Sequence, residues 1–510
     1  MDIMGVDIGT SSCKAIVFNP TGEILGSSYK ELVITYPRPN WAEQEPEQVW
    51  HSALEVMSAA VAASHSKDIG VISISVQGDA VIPLNKQGQS LRPALLGMDY
   101  RSYGQAEAIA NLIGGERLFQ ITGMRSHPMN SLTKIMWVKE NEPEVYAGTW
   151  KFATYADFFL LRLCGVAAID YSMASRTMAF DLKECSWSAT VLKAVDIDPI
   201  LFSEAVPSST IVGRILPQVA DRIGVSPKVI VAAGSHDQTC AALGAGIIEE
   251  NLALDSHGTA EVISTTFSRP LLNESMYNGF YPCYYHVVPG MFFTFALNHT
   301  AGIVMQWYRD QFAAVEAEEA KAQERNAYDH IIAKTPSGPS PVMMLPHFHG
   351  SGTPSCDRWS RGAVAGLSLS TTRHDLAKAI MESQVYEMKI NLETMAEAGL
   401  GIHSLRCVGG AAQSSAWLQL KADITGCSVA TLRTREAACL GAALLAGTAA
   451  GIYNTLQEAV GVTVGLDKEY WPDPRMQEKY QELFELYREL YPALQSFHAR
   501  LVQLNEKWGR

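Results

Sequence analysis

With 510 residues, 47% of them apolar and 18% charged, the chain is long enough for two or three globular cores and too apolar to be a disordered segment. A formal net charge of -13 without a basic block excludes nucleic acid as the expected partner, and the longest apolar run, Ala437 to Tyr453, is Gly-rich and too short for a membrane span. Nine cysteines with no C-x-x-C pair, and a start directly on a strand without a charged and apolar leader, point to a cytoplasmic protein with reduced, mostly buried thiols.

From Met4 to Phe18 the chain reads M-G-V-D-I-G-T-S-S-C-K-A-I-V-F, two strand-type runs around a small polar tip, which predicts a β-hairpin. The tip suits a phosphate. Gly9 admits close backbone approach, Thr10, Ser11 and Ser12 bring donors, and Lys14 is a point cation nearby. Asp7 would repel phosphate oxygens unless a divalent cation lay between, and Mg2+ needs only one or two carboxylates beside substrate phosphates. An ordinary hairpin turn uses the same residues, so the tip alone decides nothing.

Asn19 to Gly22 turns the chain into a third strand, Glu23 to Leu32, and residues 46 to 64 carry apolar residues at helical spacing behind Pro46. Val71 to Val76 is a buried strand ending in Gln77-Gly78-Asp79, and strand–helix alternation continues to about Gly246, with Val229 to Ala233 the last clear strand. Near Leu252 the opening recurs: L-A-L-D-S-H-G-T-A-E-V-I-S-T-T-F is again strand, Gly-Thr tip, strand, and Tyr281 to Leu297 is a further hairpin about Pro289-Gly290. Two copies of one unit imply two like-folded halves, 1–247 and 248–510. Helices are expected over 375–399, 415–426 and 436–451, a strand at Leu405 to Val408, and a long terminal helix interrupted at Pro492. Val408-Gly409-Gly410-Ala411-Ala412-Gln413-Ser414 runs from a strand into a helix start, where free amides favour phosphate and the glycines admit a flat ring; a tight strand-to-helix turn has the same composition. His236, His257, His347 and His349 lack ligand spacing for zinc.

The ordered set G-V-D-I-G-T-S-S-x-K, Trp41 to Trp50 (W-A-E-Q-E-P-E-Q-V-W), Leu91 to Arg101, Gly234 to Gly244 (G-S-H-D-Q-T-C-A-A-L-G), Leu345 to Pro354, Arg361-Gly362 and V-G-G-A-A-Q-S resembles the FGGY-type carbohydrate kinases of the actin-like ATPase superfamily, most of all their xylulokinase branch. The resemblance implies an α/β fold of two ribonuclease-H-like domains with a central cleft, and transfer of the γ-phosphoryl group of ATP to a sugar hydroxyl. It implies Asp237 as the base, Asp7 and Asp237 toward Mg2+, and Thr10, Ser11, Ser12, Lys14, Gly258, Thr259, Gly409, Gly410, Ala411 and Gln413 toward ATP. Gln77, Gly78, Asp79, Trp41, Asp237 and Gln238 fall on the sugar side. An N-cap is the alternative use of Asp237 that its sequence neighbours offer, and the two uses are compatible. The branch's Q-M-H reads Gln77-Gly78-Asp79 here, and a pocket aspartate of the branch aligns with Met173, so D-xylulose leads among ketopentoses while other sugars and polyols stay open. A homodimer is compatible with everything above. An actin-like ATPase driving a protein partner and a sugar sensor without catalysis are the rivals from other classes.

Overall fold

The structure is a computed structural model that describes residues 1–508. It is built on two seven-stranded mixed sheets. The first begins with Asp2–Ile8 (β1), Ser12–Phe18 (β2) and Ile24–Glu31 (β3), an antiparallel meander whose alternating Cys13, Ala15 and Val17 are fully buried. Ile69–Val76 (β4) lies parallel to β1, Ile211–Arg214 (β5) closes the edge, and Ile230–Ala232 (β6) and Ser235–His236 (β7) run parallel to β4. In the second sheet Leu252–His257 (β8), Glu261–Phe267 (β9), Tyr284–Tyr285 (β10) and Phe292–Asn298 (β11) form the antiparallel side, with Ser404–Gly409 (β12), Ser428–Leu432 (β13) and Leu466–Tyr470 (β14) beyond β8. β12 pairs parallel to β8 as β4 does to β1, so both halves follow one plan.

Helix α1, Pro46–Ser64, starts with proline at its first turn, where no amide is missed, and lays Val49, Trp50, Ala53, Val56, Met57 and Ala60 on the meander. Tyr171–Arg176 (α2) is capped by Asp170, whose carboxylate accepts from the amides of Ser172 and Met173 and from the hydroxyls of Ser208 and Ser235. Asp237–Gly244 (α3) follows β7 directly. In the second half Arg373–Glu397 (α4) opens with a capping box of Thr372 and Asp375, Ser415–Thr425 (α5) is capped by Ser414, and Ala437–Ala449 (α6) is apolar on every side. A helix apolar all round must be buried all round. α6 satisfies this by leaving its own half to pack on β1, β4 and α3 of the first.

The α3–α6 crossing is backbone on backbone. A Cβ at Gly441 would lie 1.8 Å from the Cys240 carbonyl oxygen, and one at Gly244 would lie 1.9 Å from that of Ala437. Among the described residues no helix is long and apolar enough to cross a membrane.

Three sequence expectations change. The terminal helix Pro474–Lys507 (α7) is not interrupted at Pro492 but continues through it over 34 residues. The proline withdraws one amide from the ladder, yet Tyr480, Phe484, Tyr487 and Val502 are buried on both sides of it, and that packing outweighs the local cost of about 3 kcal/mol. The first arm of the hairpin expected from Tyr281 shrinks to two residues, because Pro282 offers no amide and the Cys283 amide donates to the Gly123 carbonyl of the first half. Between β12 and α5 a short 3-10 turn, Ala411–Gln413, separates the glycines from the helix start.

Candidate active site

Three parallel strands end side by side and set the chemistry. Asp7 on β1 pairs in register with Ser75 on β4, and Ser75 pairs with Ser235 on β7, so Asp7 and the residue following β7, Asp237, flank the same strand end. The outer strands stand about 10 Å apart, two strand spacings. Carboxyl ends of parallel strands are where open α/β sheets bind ligands.

Asp7 is half-buried and its Oδ1 accepts from Ser75 Oγ at 2.6 Å. Burial pushes its carboxyl up to about 6, against the Ser75 hydrogen bond and the Lys14 charge. Asp237 is the first residue of α3 rather than its cap, with 30% of its side chain exposed. Burial first, then the charge of Asp7, lifts its carboxyl to about 7, while the Gln238 amide and Arg176 pull the other way.

Beside Asp237 the structure gathers a pocket from both halves. His236 Nε2 lies 3.1 Å from Asp237 Oδ1, and His236 Nδ1 lies 3.2 Å from the Tyr284 hydroxyl on β10. The imidazole sits on the backbone of Gly78, where a Cβ would come within 2.6 Å of Nε2. Asp79 is buried and adopts φ +64, a left-handed conformation that Asp tolerates better than most residues. Its Oδ2 accepts from Arg176 NH2 at 2.5 Å, while its Oδ1 is buried without a hydrogen-bond partner. The buried Lys134 donates to the Asp79 carbonyl at 3.2 Å, and burial lowers its ammonium to about 8.

Two residues expected on the sugar side already have protein partners. Gln77 is buried, and its amide donates to Gly9 O at 3.3 Å and to Gln44 Oε1 at 3.1 Å, while Gln44 in turn donates to Thr10 O at 3.0 Å. Gln77 thus buttresses the first tip. The Trp41 ring has the guanidinium of Arg101 3.6 Å from its centroid and that of Arg38 at 4.7 Å, and Trp137 meets it edge-on.

The nucleotide-side residues sit on loops at the sheet ends. Gly9 N donates to Ser12 O, closing a tight tip on which Ser11 is exposed. Lys14 forms a 2.6 Å ion pair with Glu436 at the start of α6. Gly258 and Thr259 are exposed, and their carbonyls accept from Gly302 and Ala301. Gly409 is held at φ +90 with its Cα against the His257 carbonyl, whereas Gly410 faces open space and Gln413 is exposed.

The donor set fits a Mg2+-bound nucleotide: two carboxylates held above their usual range by burial, Asp237 also by the charge of Asp7, favour a hard cation beside them. It does not fit zinc at the histidines. His347 Nδ1 is engaged by the Ser360 hydroxyl at 2.7 Å. Asp255, His257 and Glu261 do converge within 4.8 Å, but the ammonium of Lys421 stands among them, bonded to Asp255 and 3.1 Å from Glu261.

Sequence reasoning missed Arg176, Lys134, Ser75 and Tyr284. Ser75 in a largely apolar central strand was a readable signal, since a buried hydroxyl needs a partner, here Asp7. Arg176 and Tyr284 gave none, because only the tertiary fold brings them to Asp79 and His236.

Comparison with known proteins follows the same division. Residues 3–244 match the N-terminal domain of the FGGY family of carbohydrate kinases, and residues 253–450 its C-terminal domain. The xylulose kinase of Bacillus subtilis (strain 168) is 30% identical over 501 residues, 98% of each chain. The gluconokinase of the same strain is 26% identical over 514 residues, 98% of this chain and 97% of its own. A Brucella ovis crystal structure described as a xyloylose kinase superposes with a TM-score of 0.88 at 26% identity, covering 98% of this chain and 100% of that one.

Proposed function

The chain belongs to the FGGY family of carbohydrate kinases, a phosphotransferase acting on a sugar alcohol group, and we propose that its acceptor is a ketopentose, D-xylulose first, phosphorylated from Mg-ATP in the cleft between halves 1–247 and 248–510. The observation that carries this reading is the partly exposed Asp237 at the strand ends together with the unpartnered Asp79 Oδ1, the His236 imidazole touching the one and packing on Gly78 beside the other. Asp237 takes the proton of the attacking hydroxyl, and Asp79 Oδ1 accepts from a neighbouring hydroxyl and so orients the sugar. Only one Asp79 oxygen serves the sugar, since Arg176 holds the other. Asp7 and Asp237 hold the cation, which when bound neutralises phosphate oxygens. The tips at Thr10 and Gly258-Thr259 donate toward the phosphates, and open space at Gly410 receives the base. Closure of the halves excludes water as a competing acceptor.

Arg176 favours a second reading. A buried guanidinium with an unpartnered Nε suits an acceptor that bears a carboxylate, an aldonate. Coupled ADP release across D-xylulose, L-ribulose, gluconate and glycerol separates the two: highest kcat/KM on a ketopentose supports the first, and highest on gluconate supports the second. Sugar-independent ADP release as fast as any sugar-dependent rate defeats both.

A further inference from the structure

The second tip is held from behind by a buried chain of hydrogen bonds that leads to the first half. Glu261, the first residue of β9, contacts His257 Nδ1 at 2.8 Å and accepts from Asn298 Nδ2 at 3.0 Å. Asn298 Oδ1 accepts from Asn391 Nδ2 on α4 at 3.2 Å, and Asn391 Oδ1 accepts from the Tyr281 hydroxyl at 2.9 Å. Glu261, Asn298, Asn391 and Tyr281 are all buried. The order of donors is forced from one end. Burial opposes ionisation, but Lys421 and His257 hold the Glu261 carboxyl down at about 2, so it only accepts. Asn298 must then turn its amide nitrogen to Glu261 and its oxygen to Asn391, and Asn391 turns its nitrogen to Asn298 and its oxygen to the phenol. The second Asn391 amide hydrogen goes to the Glu387 carbonyl of its own helix at 3.0 Å, which leaves that residue no donor to spare.

Each end of the chain has a task. The carbonyls of Gly258 and Thr259 accept from the amides of Gly302 and Ala301, in the loop that follows Asn298, and α4 grips this loop a second time through Gln384 Nε2, which donates to the Ala301 carbonyl at 2.9 Å. A Cβ at Gly302 would stand 2.5 Å from the Gly258 carbonyl oxygen, so loop and tip shift together. At the other end Tyr281 belongs to segment 277–283, which sits on the first half. The Cys283 amide donates to the Gly123 carbonyl at 2.8 Å, the Arg125 guanidinium lies 3.6 Å from the Phe280 ring centroid, and the rings of Tyr277 and Phe119 meet edge-on at 5.6 Å.

We propose that Tyr281 and Asn391 are positioning residues for the nucleotide: acting through Asn298, they set where the Gly258-Thr259 tip stands relative to the first half, and hence to the Thr10 tip that grips the same phosphates. The inference rests on the reading of the two tips as phosphate sites.

The test is nucleotide binding to the full chain without sugar, by titration calorimetry with Mg2+ and the β,γ-imido analogue of ATP, at a temperature where melting curves show every variant folded. Tyr281→Phe removes one hydroxyl and keeps the buried ring. Expected is a rise in Kd of about fivefold, the share of one hydrogen bond; a rise below twofold overturns the proposal. In Asn298→Ala, where the chain is cut beside the tip, the same hydroxyl loss adds less than twofold, and a further rise of twofold or more overturns the proposal as well. A merely structural role for the hydroxyl lowers Tm without producing this difference between backgrounds. Should Asn298→Ala fail to fold, amide hydrogen exchange decides in its place: faster exchange over residues 256–262 in Tyr281→Phe than in wild type supports the coupling, and unchanged exchange there sinks it. Gly258→Glu separates the two levels, since a Cβ there meets its nearest neighbour at 3.8 Å and a carboxylate at the tip repels phosphate. If its Kd matches wild type, the phosphate reading of the tip falls; if its Kd rises while that of Tyr281→Phe does not, only the role of Tyr281 and Asn391 is removed.

Discussion

Replacing Lys421 by methionine tests how the second tip is held. Lys421 is buried on α5 and places its ammonium against Asp255, 3.1 Å from Glu261 and 3.2 Å from His257 Nδ1. Burial opposes ionisation of Glu261, but Lys421 and His257 overcome it and hold that carboxyl down at about 2. Removing one partner of a buried ion pair leaves the other uncompensated and costs about 3–5 kcal/mol, whereas methionine keeps most of the packing. An unfolding entropy of about 2.1 cal/mol/K per residue over roughly half the chain gives about 0.5 kcal/mol/K, so Tm for the second half falls by about 6–10 °C. The pH dependence has a definite sign. In the wild type, the depressed Glu261 gives stability that is present above the unfolded carboxylate value, near 4.3, and lost only toward about 2, so it is constant from pH 5 to 8. In the variant, two facing carboxylates without their cation are raised above that value, so protonation relieves them and the deficit shrinks from pH 7.5 to pH 5. Differential scanning calorimetry with EDTA present reads both. A shift under about 2 °C at pH 7.5, or one that does not narrow at pH 5, refutes the electrostatic account.

With Asp237 pushed up to about 7, kcat/KM should rise tenfold per pH unit below that value and level off above it, because the protonated acid cannot take a proton; a flat profile from pH 6 to 8 removes Asp237 as the base. Arg176→Met leaves Asp79 buried without its cation, so the KM for the sugar should rise by about tenfold or more while the KM for ATP stays within about twofold; equal changes in both count against a sugar-side role. Gly441→Ala drives a Cβ into the Cys240 carbonyl, and Tm should fall by several degrees, by about 2 kcal/mol or more, with loss of activity; an unchanged melting curve would mean the α3–α6 crossing is looser than drawn.

What could be read from the sequence was what repeats or alternates. The two Gly-Thr hairpins, the apolar spacing of α1 and the order of the Gly-rich tips are local patterns, and each became the expected element within a residue or two. The pocket was less legible because its polar partners are distant in sequence. Asp79 could be named from its place after a strand, but that Arg176 takes one of its oxygens depends on where the tertiary fold sets α2, 97 residues further along the chain. Gln77 looked like a sugar ligand by the same logic, yet its amide reaches back to Gly9, a contact set by the register of β1 and β4. Pro492 misled in the opposite direction: a local rule broke the helix, and burial of the aromatic face restored it.

The same distinction governs how the halves communicate. A boundary near 247–250 separates the two sheets, but α6 belongs to the second half by sequence and to the first by packing. Glycines at 244 and 441 leave no side chain to slide over, and the same holds at Gly123, where a Cβ would lie 1.8 Å from the Cys283 carbonyl oxygen of the second half. Beside Gly123 the two halves meet through backbone as well as side chains: the Cys283 amide donates to the Gly123 carbonyl at 2.8 Å, the Arg125 guanidinium donates to the Tyr277 carbonyl at 3.0 Å, and the Tyr284 phenol reaches His236. Hydrogen bonds of that kind exchange with water at a net cost near 1 kcal/mol each, while pulling the backbones of α3 and α6 apart exposes a wholly apolar helix. Asp7, tied to Ser75 within one sheet, is held by the first half alone.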